Sequence, residues 1–254
     1  MNIDRRLRLE HQWHETEDFA RDDNSLIVGV YASGLFDEAG AYCLNALGDL
    51  SGHHVLDYGC GTGGMTAQLL SRGARVTGFD ISAIRLREAR RRLVGVPGAS
   101  PPRLVQCAAE LLPFRDGVFD AVLGKRILHH LDLEAAIPEV ARLLPPGGRA
   151  VFLEPLVHNP ILEAYRRLTP HLRSPTERAL SMRDLQSVAA HFSRWAHREY
   201  CLFAVMPAIA QALFGRSPLL DRLLVLFRTL DRRLVDALPC IGRYCWETVV
   251  TLQR

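Results

Sequence analysis

The chain has 254 residues, 48% of them apolar and 23% charged, which suits one sizeable folded core and excludes a disordered tail or a small disulfide scaffold. Its 31 basic residues against 28 acidic ones give a net charge of +3, too small an excess for a surface that tracks nucleic-acid phosphates. Lys125 is the single lysine among the 31, and the thirty arginines point to coding bias before they point to bidentate anion recognition.

The first residues carry no apolar signal-peptide core, and no run of eighteen apolar residues occurs, so the sequence predicts a cytoplasmic protein. Its six cysteines show no zinc-type spacing and read as reduced, mostly buried thiols, and no metal site is expected. Residues 1–50 read as a helical N-terminal cap containing His14 and Tyr31. His54–Tyr58 is a short apolar run that stops at a glycine cluster, the pattern of a buried strand. The helical stretch Met65–Ser71 follows, then a second strand at Arg75–Phe79 with Asp80 at its end. Ser82 suits the N-cap of an arginine-rich helix. Arg103–Cys107, Phe119–Leu123 and Arg149–Glu154 are three more strands, with a helix at Ala135–Leu144 between the last two. Strands alternating with helices predict an α/β fold with a parallel sheet covered on both faces.

Glu199–Met206 and Trp246–Leu252 read as the last two strands. Between them, 207–245 carries a helical apolar stripe at Leu219, Leu220, Leu223, Leu224, Phe227, Leu230, Leu234 and Leu238. Arginines 222, 228, 232 and 233 mark its other face. Such a helix packs on its own domain or on a second subunit as a homodimer; the sharper alternative is a basic amphipathic surface for peripheral membrane contact.

The chemistry concentrates where the first strand meets the next helix. Gly59, Gly61 and Gly64 fit GxGxxG, and Asp80 lies about 20 residues on, where a ribose-binding acid belongs. A nicotinamide or flavin domain would show the same letters. Two features tilt the choice: Asp57 stands two residues before the first glycine, giving DxGxGxG, and Glu110-Leu-Leu-Pro-Phe114, Phe119-Asp120 and Pro146-Gly-Gly148 follow in order.

Over roughly residues 50–155 these motifs resemble the class I S-adenosylmethionine-dependent methyltransferases, in particular the small-molecule and lipid-related, type 11-like group. The resemblance implies a Rossmann-like, doubly wound seven-stranded sheet with an antiparallel last strand. Residues 51–254 would form that domain, with helical inserts at 155–182 and 207–245. The implied cofactor is S-adenosyl-L-methionine. Gly59, Cys60, Gly61 and Gly63 would pack on its methionine part with Asp57 near its amino group, and Asp80 would accept both ribose hydroxyls. Ile81, Ala109 and Glu110 would border the adenine, and Lys125 would lie near the methionine end. Where the family often has an aspartate for the adenine amino group, this chain has Ala108.

The acceptor candidates lie in the cap and after the fifth strand. Glu154 ends a strand at the sheet's carboxyl edge, and His129, preferred over His130, follows the fourth strand; with His14 and Tyr31 these are the catalytic candidates. His158, Asn159, Tyr165, Arg166 and Arg173 are the substrate-binding candidates, the arginines as a clamp for phosphate or carboxylate. Gly124-Lys-Arg-Ile127 replaces the Asp/Asn-Pro-Pro-Tyr segment that amino methylation of nucleic-acid bases would need. The expected activity is methyl transfer to oxygen or carbon of a small or amphiphilic metabolite. A prenyl or phosphate-bearing lipid acceptor, or a non-catalytic cofactor-binding partner subunit, are the alternatives.

Overall fold

The computed structural model describes residues 3–16, 26–97, 100–169, 174 and 176–254. Its centre is a seven-stranded sheet of β1 (His54–Tyr58), β2 (Arg75–Asp80), β3 (Arg103–Gln106), β4 (Ala121–Lys125), β5 (Arg149–Pro155), β6 (Arg194–Tyr200) and β7 (Glu247–Gln253). The spatial order is β3-β2-β1-β4-β5-β7-β6; β1 to β5 pair in parallel, and β7 pairs antiparallel with β5 and β6. Among the described residues the fold is therefore the α/β sheet that the alternation of elements predicts, in the doubly wound, seven-stranded form with an antiparallel last strand that the resemblance implies.

Side chains alternate between the two faces with the strand period of two. Val55, Val76, Leu123, Val151 and Val249 join one core with α3 (Asp37–Ala46), α4 (Gly64–Ser71) and α9 (Val205–Phe214). Leu56, Phe79, Val122, Phe152 and Val250 join the other with α6 (Leu133–Leu143) and α8 (Met182–Ala189). Among the described residues of the 1–50 segment lie α1 (Ile3–Thr16), α2 (Leu26–Ala32) and α3. Ser82 caps α5 (Ala83–Arg92), its hydroxyl accepting from the Arg85 N–H at 3.2 Å.

Two strands stand elsewhere than their apolar runs suggest. The fourth begins at Ala121 rather than Phe119, whose ring is buried against Phe114 and His54 instead. The sixth is Arg194–Tyr200, not Glu199–Met206. It is an edge strand with mostly solvated side chains, so its sequence is polar, while the apolar run that follows turns into α9. A short apolar run does not distinguish a strand from the first turn of a helix.

That turn is secured from a distance. The buried carboxylate of Asp231, on α10 (Pro218–Ala237), accepts N–H groups of Leu202 and Phe203 at 2.9 Å and of Ala204 at 3.0 Å. Three backbone donors at the start of α9 are thereby satisfied, and α10 is tied to the sheet edge. Along α10 itself only Leu224 of the apolar stripe is fully buried; Leu219, Leu230, Leu234 and Leu238 stay exposed. No helix among the described residues is long and apolar enough to cross a membrane.

Asp231→Ala strands three buried donors, so urea unfolding should show a loss of about 1–3 kcal/mol, and Asp231→Asn, which keeps one acceptor oxygen, a smaller loss. Equal stability of all three proteins would show that this cap does not hold α10.

Candidate functional site

The glycine loop leaves β1 in left-handed backbone. At Gly59 φ is +73°, and a Cβ there would lie 2.8 Å from the Ile127 side chain, so the position excludes larger residues twice over. Gly61 has φ +52° and lines the cavity; a Cβ on it would meet nothing within 4 Å, so its missing side chain leaves open space against bare backbone. Asp80 holds this loop to the end of β2: Oδ2 accepts the Gly61 N–H and Oδ1 the Ser82 N–H, both at 2.9 Å. Asp57 is buried and accepts the Thr66 hydroxyl at 2.5 Å. Burial pushes its carboxyl up to about 7; the Thr66 hydrogen bond opposes that rise and the charge of Asp80 adds to it.

These residues border a cavity of about 350 Å³ at the carboxyl ends of β1, β2 and β4, the place where open α/β sheets bind ligands. Asp57, Gly59, Cys60, Gly61, Asp80, Ile81, Ala109, Glu110 and Lys125 all line it. Gly63 does not; at φ +82° it precedes α4 and lies against Ala89 of α5. Cys60 and Cys107 are thiols that burial raises, so neither wall cysteine is an activated nucleophile.

The roof is α1, and polar contacts hold it. Glu15 accepts the Ala83 N–H at 2.6 Å at the start of α5, and the Ser82 hydroxyl donates to the His14 carbonyl at 3.2 Å. Arg6 forms an ion pair with Glu110 and donates to the His130 carbonyl. Glu10 accepts the hydroxyls of Ser174 and Thr176 and stands against both His14 and His130. Burial would raise the Glu10 carboxyl, but its contacts with His130, His14 and Ser174 outweigh that and hold it well below the usual carboxylate range.

The structure divides the catalytic candidates. His14 lines the cavity; His129, Glu154 and Tyr31 do not. His130, not His129, faces it, because the short 3-10 turn Leu128–His130 directs His129 inward. There its Nδ1 meets Glu154 Oε2 at 2.7 Å, while Glu154 Oε1 accepts the N–H groups of Ile127 and Leu128 at 2.8 Å. Glu154 is wholly buried, so this pair braces the turn behind the cavity wall. Tyr31 lies instead against Arg126, a residue of the cavity wall, whose guanidinium carbon lies 4.4 Å from the Tyr31 ring centroid and 4.6 Å from that of Phe36.

None of the described substrate-binding candidates lines the cavity. His158 is exposed. Asn159 caps α7 (Pro160–Leu168) through the Leu162 N–H and donates to the Tyr244 carbonyl, both at 2.9 Å. Tyr165 packs on the core, and Arg166 donates to the Leu156 carbonyl at 3.4 Å. Arg173 lies outside the described residues.

Sequence reasoning missed Arg6, Glu10, Arg85 and Arg126, all in the cavity wall. Arg126 left one signal, its place beside Lys125 just beyond a buried strand. It adopts φ +55°, uncommon for a non-glycine residue, while its Nε donates to the buried Glu247 at 2.8 Å.

With this geometry in place, comparison with known proteins is informative. Residues 56–152 match the family described as a methyltransferase domain. An O-methyltransferase of Penicillium expansum, cnsE, is 32% identical over 159 residues, 60% of this chain and 55% of that protein. A ubiquinone biosynthesis O-methyltransferase of Alkalilimnicola ehrlichii is 36% identical over 112 residues, 44% of this chain and 45% of that protein. The chain thus spans about half the length of the curated relatives it matches. The geranyl diphosphate C-methyltransferase of Streptomyces coelicolor, solved with geranyl diphosphate, Mg2+ and S-adenosyl-L-homocysteine, superposes with a TM-score of 0.62 at 18% identity. That match covers 86% of this chain and 77% of the other and shows a shared fold.

Asp57 is protonated in the folded protein up to about pH 7 but ionises near 3.8 when exposed. The native state then binds the extra proton between these values, so its stability falls as pH rises through that window. Urea unfolding across this range should show the fall in the wild type and a flatter profile in Asp57→Asn; parallel profiles would contradict the assignment.

Proposed function

We propose that this chain, whose residues 56–152 match a methyltransferase domain, is a class I S-adenosylmethionine-dependent methyltransferase that transfers a methyl group from S-adenosyl-L-methionine to oxygen or carbon of a small or amphiphilic metabolite. One observation carries the reading: Asp57, the bare backbone at Gly61 and Asp80 border a single cavity that α1 roofs. When bound, the cofactor supplies an electrophilic methyl on a sulfonium. The chain's own groups have matching tasks. Each Asp80 oxygen accepts one backbone N–H and keeps lone pairs for the two ribose hydroxyls. Asp57 faces the cofactor's ammonium, and Gly61 lets the backbone approach without a Cβ in the way. Ile81 and Ala109 offer apolar walls for the adenine. The Ala109 carbonyl is already engaged by the Tyr58 hydroxyl at 3.0 Å, so those walls serve in place of a polar contact there.

Residues 1–50, 155–182 and 207–245 would form the acceptor cover, with α1 excluding water and His14 standing on the acceptor side. The amphiphilic acceptor is supported by the exposed apolar side chains of α9 and α10, among them Phe214, Leu219, Val225 and Leu226. A prenyl or phosphate-bearing acceptor fits the same surface, and we place the protein in the cytoplasm with peripheral membrane contact through 207–245. A second copy packing on that apolar face as a homodimer is the competing use of it.

Calorimetry should detect S-adenosylhomocysteine binding, which Asp80→Ala weakens roughly ten- to hundredfold and Gly61→Leu abolishes while the fold persists. Affinity should rise with pH up to about 7, because Asp57 must lose its proton to face an ammonium. No binding to the wild type would end the methyltransferase reading. Co-sedimentation with anionic liposomes should fall when Leu226 and Leu230 are both changed to Glu, and unchanged sedimentation would remove the membrane role.

A further inference from the structure

We propose that Glu10, His14 and His130 form a binding site for one divalent transition-metal ion of the zinc class, set in the roof of the cavity. Glu10 and His14 are four residues apart on α1 and so project from one face of the helix. His130 comes from the 3-10 turn after β4, on the opposite wall. Glu10 Oε2 lies 3.2 Å from His14 Nε2 and 3.4 Å from His130 Nδ1, and donor atoms of all three lie within 4.8 Å of one another. A tetrahedral ion with bonds of about 2.0–2.1 Å holds its ligand atoms about 3.3 Å apart. The two spacings thus match two edges of that tetrahedron.

The hydrogen bonding of Glu10 supplies a second, independent observation. This residue is only 4% exposed. Its Oε1 takes the Ser174 hydroxyl at 2.5 Å and the Thr176 hydroxyl, contacts that orient the carboxylate. Its Oε2 is buried and accepts no well-formed hydrogen bond, and His130 Nδ1 makes none. The oxygen thus faces two imidazole nitrogens at 3.2 and 3.4 Å without hydrogen-bond geometry to either, and a cation held between the three groups supplies each with a directed partner. Two imidazoles and one carboxylate are a donor set suited to zinc, cobalt or iron rather than magnesium or calcium. All three side chains line the cavity, so the ion's remaining position opens toward an acceptor.

An overlapping group, His129, His130 and Glu177, also has donor atoms within 4.8 Å of one another. Its carboxylate, Glu177, is only partly buried, whereas Glu10 is buried and oriented by two hydroxyls, which makes this second group the weaker candidate.

The test uses the full chain, stripped with a chelator and titrated with Co2+ while the visible spectrum is followed. One equivalent should bind with the intense bands of a four- or five-coordinate ion and no thiolate charge-transfer band, which separates this site from the cysteines. Glu10→Gln, His14→Asn and His130→Asn should each weaken binding by roughly a hundredfold, and Glu177→Gln should leave it intact. Thermal melts and S-adenosylhomocysteine calorimetry on the same proteins report folding and the methyltransferase reading separately, so failure of one idea does not pass for failure of the other. If a change on α1 prevents folding, His130→Asn at the cavity edge gives the same readout. Absence of a stoichiometric Co2+ spectrum in the wild type overturns the proposal, as does a site lost in Glu177→Gln but kept in Glu10→Gln.

Discussion

A parallel sheet covered on both faces can present polar chemistry only at its strand ends, and the architecture of this chain follows from that constraint. Asp57, Asp80 and Glu154 all stand near the carboxyl ends of β1, β2 and β5. Each is buried, and each is compensated by specific protein donors. Asp80 takes two backbone N–H groups, Glu154 takes two and an imidazole, and Asp57 is held by Thr66. Glu154, with three partners, is used up in holding the turn that carries His129 and His130. Asp57 stays under-compensated by Thr66 alone, and burial raises its carboxyl.

The same rule governs how helices attach beyond the sheet. α10 is tied by the three backbone donors that Asp231 accepts, and α5 receives Glu15 at its first N–H groups in addition to its own Ser82 cap. A carboxylate at a helix start gains from the unsatisfied N–H groups and from the helix dipole together. α1 therefore docks through Arg6, Glu10 and Glu15 rather than through a broad apolar stripe. Such contacts specify orientation closely, since each donor and acceptor must be met, and they bring charged side chains to the cavity that an apolar roof would lack.

What could be read from the sequence follows the range of the interactions. The strands β1, β2 and β5 and the glycine loop were legible because alternation, turn chemistry and the Asp57 and Asp80 spacing are local. β6 was not, because an edge strand keeps polar side chains and the apolar run beside it belongs to a helix anchored by Asp231, 27 residues from Ala204. The choice of His129 over His130 failed on turn geometry: adjacent residues point apart, and only the position of Glu154 decides which turns inward. Arg6 carries no local signature, and Glu10 shows only its i,i+4 spacing to His14. Their partners, Glu110, Ser174 and Thr176, are more than a hundred residues away. Asn159 and Tyr165 show the reverse error, since their spacing was legible but serves a helix cap and a core contact.

The match to the methyltransferase domain runs from within β1 to within β5, which make the parallel part of the sheet and the cradle of Asp57, Gly61 and Asp80. The roof helix α1, the helix α7 and the exposed apolar faces of α9 and α10 all lie outside it. Catalysis by positioning requires that a second molecule be aligned and water be kept out, and neither task can be done by strand ends alone. On the proposed reading, selectivity for the acceptor falls to the segments that differ most in kind from the sheet, one helix rich in charge above the cavity and two with apolar side chains left open. A molecule with a polar reacting end and an apolar body would use both.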